Sequence, residues 1–292
     1  MAWLSKILAP VAFSPRCRGA VQYAEALACH FHAELVLLHV APTPMAPYTP
    51  AEAMAYATTS ELSAERLEER QAELATYLGG LCSDIPVARE VMEGDPAGRI
   101  VDHARGHAVD MIVMATHGYG PFRRFLLGSV TAKVLHDVAC PVWTGPHMEN
   151  APAYQTIGFR KVVCAIDLAQ DSGAVLQWGK RFAREFGAEF TVVHVLPESL
   201  VQLGGVYFDP DWRNLAVTTA RDQIVRLQEK LQTPGEVVIE FGDVPVAVSD
   251  VAARLRADLL VIGRGRDAGI LGRLRANAYA ILRESPCPVV TI

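Results

Sequence analysis

The chain has 292 residues, 51% of them hydrophobic and 20% charged, with a formal net charge of -5. That balance excludes a disordered or fibrous chain. It also argues against nucleic acid as a partner, because phosphate-backbone affinity comes from clustered Lys and Arg.

In chain order, the first apolar run carries Lys6 and lacks a small-residue cleavage pattern, so it reads as a first strand over 6–12 rather than a leader. Further strands are predicted near 35–40, 87–92, 110–114 and 141–143. Between them run amphipathic stretches, the second marked by Leu67, Leu74 and Leu78. The Pro-rich "APTPMAPYTP" before it reads as a loop. "TGPHMENAPAYQTIG" reads as a linker, after which the pattern starts again. "KILAPVAFS" at Lys6 returns as "KVVCAIDLA" at Lys161, and "AELVLLHVAP" at Ala33 as "AEFTVVHVLP" at Ala188. "EGDPAGRIVDHARGHAVDMIVM" returns as "FGDVPVAVSDVAARLRADLLVI", and "ACPVWT" as "PCPVVTI". The offset stays near about 150 residues, which means two duplicated domains rather than a solenoid of short units. Their expected extents are 1–147 and 157–292.

Alternating strand and helix predicts an α/β fold: two open parallel five-stranded sheets with helices on both faces, joined by right-handed crossovers. With strand order 3-2-1-4-5, the winding reverses between the first and fourth strands of each copy, and ligands settle at the carboxyl ends there. The apolar, β-branched fifth strands "PVWTG" and "PVVTI" would invite aggregation if left open. The family resemblance set out below implies that they pair antiparallel with each other, burying Val142 and Val289 in an internal pseudo-dimer; pairing of whole chains into a homodimer is compatible with this.

No apolar stretch reaches the roughly 20 residues of a membrane span. The six cysteines show no C-x-x-C spacing, which fits free thiols in a reducing cytoplasm. Nine histidines are scattered without metal-ligand spacing; His39 and His194 occupy equivalent positions and suggest a shared structural role. "GAVLQWGK" at Gly173 spaces its glycines wrongly for a phosphate-binding P-loop, and Lys180 precedes Arg181 rather than Ser or Thr. "GRGRDAG" at Gly263 follows a fourth strand, not a first, which makes it a poor dinucleotide fingerprint.

The densest glycine signal is "MATHGYGPFRRFLLGSV", from Met114 to Val130. It joins a buried strand to a helix predicted to begin near Ser129, with Val130, Val134, Leu135 and Val138 at helical spacing. Free N–H groups and the dipole at that helix start favour an anion, the Ser129 and Thr131 hydroxyls add donors, and Gly118 and Gly128 remove Cβ atoms from the approach. A tight strand-to-helix turn is the alternative.

With these motifs the chain resembles a tandem universal stress protein, both copies covered end to end. That family's signature is Gly, two residues, Gly, nine residues, Gly, then Ser or Thr; Ala115, Gly118, Gly128 and Ser129 match it at all but the first position. Cys140-Pro141 and Cys287-Pro288 before the last strands fit too. The resemblance implies an adenine nucleotide alpha hydrolase-like fold, a cytoplasmic stress-response role, ATP as ligand with or without Mg²⁺, and an unidentified protein partner. It implies that Pro10 and Val40 flank adenine and ribose, and that Gly118, Gly128, Ser129, Val130 and Thr131 hold phosphates. Ala12 stands where the family has a nucleoside-contacting acid, which weakens affinity by roughly tenfold to a hundredfold. The second copy keeps that acid as Asp167 and keeps Gly263, but Arg275-Ala276-Asn277 replaces its Gly-Ser pair. Its Arg264, Arg266, Arg273 and Arg275 form either an anion site or a solvated basic patch.

No Ser-His-Asp order or paired carboxylate stands out, and no acid lies between Gly118 and Ser129 to position water or a metal. Slow ATP hydrolysis is the most the sequence supports. The expected function is a nucleotide-responsive binding or regulatory module. The alternatives are a non-nucleotide interaction scaffold with decayed sites, or a slow ATPase.

Overall fold

The computed structural model describes residues 3–43, 64–78, 80–81, 83–116, 127–145, 148, 157–197, 210–264 and 276–292. These fall into two compact units. In the first, strands β1 (Lys6–Pro10), β2 (Glu34–Ala41), β3 (Val87–Glu93) and β4 (Met111–Val113) run parallel in the order β3-β2-β1-β4. Helices α1 (Pro15–Phe31), α2 (64–76), α3 (Pro96–Gly106) and α4 (Ser129–Asp137) connect or follow them. Leu8, Leu35, Leu37 and Ile112 are fully buried, as near-continuous apolar strands covered on both faces must be.

The second unit holds β6 (Lys161–Ala165), β7 (Glu189–Leu196), β8 (Glu236–Phe241), β9 (Leu259–Ile262) and β10 (Val289–Thr291). Their order β8-β7-β6-β9-β10 is the expected 3-2-1-4-5 winding, all parallel. Its helices are α5 (Ser172–Phe186), α6 (Pro210–Leu231), α7 (Val244–Leu255) and α8 (Ala276–Glu284). Strand β5 (Val142–Thr144), although it comes from the first repeat, belongs to this unit by compactness. It pairs antiparallel with β10, Val289 opposite Thr144 and Thr291 opposite Val142, and all three of its residues are buried. The expected pairing of fifth strands is therefore present, and it removes both apolar edges.

Local chemistry repeats with the sequence. Ser14 caps α1 through the Cys17 N–H (3.2 Å), and Asp95 and Asp243 cap α3 and α7 in the same way (2.9 and 3.3 Å), each with Pro in the first turn. Asp110 Oδ2 accepts from the backbone N–H groups of Ser5 and Lys6, at 2.7 and 2.9 Å. Asp258 Oδ2 accepts from those of Arg160 and Lys161 at the same two distances. In each copy one carboxylate ties the entry of the first strand to the entry of the fourth.

Gly179 brings α5 against the sheet. A Cβ there would lie 2.2 Å from Cys164 Sγ and 3.3 Å from the Phe190 ring. Alanine's better helix propensity is worth about 1 kcal/mol, and overpacking a filled core costs about 1–3 kcal/mol. Gly179→Ala is thus expected to destabilise the second unit by about 1–2 kcal/mol in denaturant titration. Adding Cys164→Ala, which removes the obstructing sulfur, should restore most of the loss; an additive double variant would contradict this packing.

Burial pushes the Cys164 and Cys287 thiols up from an ordinary 9.0, Cys287 to about 12. Above pH 9 the unfolded chain ionises both thiols while the native one does not, so the unfolded state binds fewer protons. Stability is full below pH 9 and should fall by about 1.4 kcal/mol per pH unit per thiol from there toward pH 12. Cys287→Ala should flatten that slope in denaturation series run at fixed pH; an unchanged slope would contradict the linkage.

Candidate functional site

In the first unit β1 lies beside β4, and two hydrogen bonds hold the start of α4 to the exit of β4. Pro10 ends β1, Ala12 is exposed, and Val40 lies in β2 with 7% exposure. Cys17 stands behind the β1 turn: its Sγ donates to the Pro10 carbonyl (3.2 Å) and accepts from the Ala12 N–H (3.3 Å). The His39 Nδ1–H donates to the Val11 carbonyl (2.8 Å), and the equivalent His194 donates to Ile166 at the same distance. Both histidines thus brace the turn after their first strand, in the shared structural role the repeat suggested.

Phe13 follows with φ 52°, in the left-handed region that bulky side chains avoid. Its ring packs against His39 at 4.7 Å and edge-on to Tyr77 at 5.4 Å, with the Arg70 guanidinium 5.8 Å away. An aromatic wall therefore stands one residue beyond Ala12. A bulky residue at positive φ has no sequence signal of its own; packing on residues distant in sequence holds it there.

Helix α4 begins at Ser129 as expected, with Gly128 as its N-cap and no side chain capping it. Gly128 has φ -64° and ψ 147°, which any residue adopts, so its contribution is the absent side chain rather than an unusual backbone. Its N–H donates to the Thr116 carbonyl (2.8 Å). Ser129 is exposed and Val130 half-buried. Thr131 is buried, and its hydroxyl donates to the Ala115 carbonyl (3.0 Å). That hydroxyl is engaged in joining β4's exit to α4, so Thr131 can offer an anion only its backbone N–H. Gly118 and His117 lie outside the described residues, as do Arg266, Arg273 and Arg275.

The second unit has a cleft of about 160 Å³ at the corresponding place. Asp167 and Gly263 line it, as do Asp171, Ser172, Val195 and Asn277. Asp167 is exposed; its Oδ1 accepts from the Ala169 N–H (2.9 Å) and the Ser172 hydroxyl (3.4 Å). A Cβ at Gly263 would meet Val175 and Asp171 only at ordinary contact distances of 3.5 and 3.8 Å, so close packing does not demand glycine there. Arg264 is buried and donates to the Thr291 carbonyl (3.2 Å), a use in tying β9 to β10 rather than in an exposed basic patch. Asp171 and Asn277 had no signal as isolated letters. Only the winding, which sets the starts of α5 and α8 beside the ends of β6 and β9, brings them to Asp167.

Among the described residues no cluster of three or more His, Cys, Asp or Glu could hold a metal, and no helix is long and apolar enough to cross a membrane.

A model described as the universal stress protein family matches residues 4–144 and again 158–292. Universal stress protein MJ0531 of Methanocaldococcus jannaschii is 32% identical over 139 residues, 47% of this chain and 79% of that one. Universal stress protein A homolog 1 of Coxiella burnetii is 30% identical over 138 residues, 46% of this chain and 96% of that one. Among solved structures, a universal stress protein of Archaeoglobus fulgidus DSM 4304 is 20% identical with a TM-score of 0.63, over 99% of this chain and 96% of that one. A functionally unknown protein of Pseudomonas aeruginosa PAO1 has the same score at 17% identity, over 99% and 92%. The two structures show a shared fold.

Proposed function

The chain belongs to the universal stress protein family, in two copies of its domain, and on that premise we propose that it is an ATP-binding regulatory module of the stress response. The nucleotide sits in the first unit, its phosphates at the start of α4 and its adenosine between Pro10 and Val40. The observation that carries this reading is the uncapped helix start: Gly128 supplies no side-chain acceptor, and the first-turn N–H groups of Ser129, Val130 and Thr131 have no intrahelical partner to bond. Three such donors with the positive helix end suit a phosphate chain.

Magnesium has no carboxylate to meet among Pro10–Ala12, Ala115–Thr116 and Gly128–Thr131, so it would arrive held by the phosphates. The same lack of an acid to orient water favours occupancy as a signal over turnover. A protein partner reading that occupancy, and a cytoplasmic location, belong to this proposal, as do domain limits of 1–147 and 157–292.

Titration calorimetry of the full chain with ATP and ADP tests the reading. Saturable binding of one nucleotide per first-unit site is expected. No heat and no thermal shift at millimolar nucleotide would overturn it and favour the scaffold reading.

A further inference from the structure

The side of α5 that meets the α6–β8 turn carries two cations that the first copy lacks. Lys180 and Arg184 stand one helical turn apart, and the repeat has Glu25 and Cys29 at those two places. The fold is therefore made without them. Both reach the chain that leaves α6. The Lys180 Nζ–H donates to the Pro234 carbonyl (2.6 Å), and the Arg184 Nη2–H to the Gln232 carbonyl (3.1 Å). That turn is itself fixed. The Thr233 N–H donates to the Gln228 carbonyl (2.9 Å) and the Gln228 side-chain amide to the Gly235 carbonyl (3.3 Å). A Cβ at Gly235 would lie 2.7 Å from the Phe190 carbonyl oxygen, so the chain is pressed against β7 there.

Lys180 differs from the other lysines of the chain. Lys6, Lys133 and Lys161 each pair with a carboxylate, Glu34, Asp95 and Glu189, at 3.0, 2.8 and 2.7 Å. Lys230 is exposed. Lys180 is half-buried, 5.1 Å from the centre of the Phe190 ring, and pairs with no carboxylate among the described residues. Burial, and then the Arg184 charge, hold its pKa below the ordinary 10.5, so more of it is neutral amine at a given pH. With one N–H spent on Pro234 and the ring on another side, the lone pair of that amine is left for the open side. Arg184 is exposed, and its fork has further donors for an anion.

We propose that Lys180 is a covalent modification site for acyl phosphates, with Arg184 holding the phosphate. The Nζ lone pair attacks the acyl carbon and an N–C bond forms. The C–O bond to phosphate breaks, its electrons leave on the phosphate, and the amine proton passes to water. An acyl phosphate carries its negative charge on the leaving group, where Arg184 can meet it; the leaving sulfur of a thioester carries none in the reactant. The resulting amide keeps an N–H for Pro234 and removes the charge beside the ring.

Incubation of the full chain with acetyl phosphate, with acetyl-lysine mapped over time by peptide mass spectrometry, tests this. Lys180 should acetylate about tenfold faster than Lys230. Arg184→Gln, which keeps a donor for the Gln232 carbonyl, should remove most of that advantage. With an uncharged acetyl thioester the advantage should be about threefold, from the larger neutral fraction alone, and should fall less in Arg184→Gln. Equal rates for Lys180 and Lys230, a greater advantage with the thioester, or an advantage that Arg184→Gln leaves intact would each overturn the proposal.

Discussion

Trp143→Ala is expected to destabilise the second unit by about 3–5 kcal/mol, a large share of the roughly 5–15 kcal/mol of an ordinary domain. Trp143 is fully buried in β5, with its ring 5.5 Å from Phe159 and 5.7 Å from Phe182. Phe182 in turn stacks on Trp178 at 5.2 Å and meets Phe159 and Phe186 at 5.0 and 4.8 Å. Truncating the indole removes its buried area, leaves a cavity among rigid rings that collapse poorly, and forfeits two aromatic contacts worth about 0.5–1.5 kcal/mol each. Guanidinium titration followed by circular dichroism measures it. Because Trp143 is contributed by the first repeat and packs in the second unit, the transition that shifts should be the second unit's. A loss below about 1 kcal/mol would mean that β5 is not part of that core.

Gly128→Leu is the larger functional test. The backbone at Gly128 suits any residue, and leucine, a poorer N-cap than glycine, costs the helix about 1 kcal/mol, so the fold should persist. The isobutyl group would occupy the space a phosphate needs against the N–H groups of Ser129 to Thr131. ATP affinity should fall by about a hundredfold or more, beyond about 2.7 kcal/mol. Ser129→Ala should cost less, about tenfold, since it removes one hydroxyl and leaves the backbone donors. Equal affinities for the glycine and leucine forms would place the phosphates elsewhere.

The fold was readable because its signals are local and repeated. The apolar runs near 6–12, 87–92 and 141–143 became β1, β3 and β5 within two or three residues at each end. The helix expected near Ser129 begins there. Pairing of β5 with β10 was legible from the family resemblance together with the apolar character of both, since neither could be left at an open edge. The site was less legible. Thr131 looked like a phosphate donor by type and position, but nothing in the sequence said that its hydroxyl would face Ala115. Phe13 carried no hint of a left-handed backbone, because contacts with His39 and Tyr77 hold it there against local preference. In the second copy Asp167 and Gly263 were named from the sequence, but the walls of its cleft come also from Val195, Val248 and Ile281, which carry no binding signal as letters.

The central claim is that the start of α4 holds the phosphates of a nucleotide. A crystal structure of the full chain grown with ATP tests it most directly. Phosphate density within hydrogen-bonding distance of the Ser129, Val130 and Thr131 N–H groups, about 2.7–3.2 Å, is the predicted result. Triphosphate density seated instead against Asp167 in the second unit, or a first-unit crevice that stays without nucleotide at saturating ATP, would contradict it.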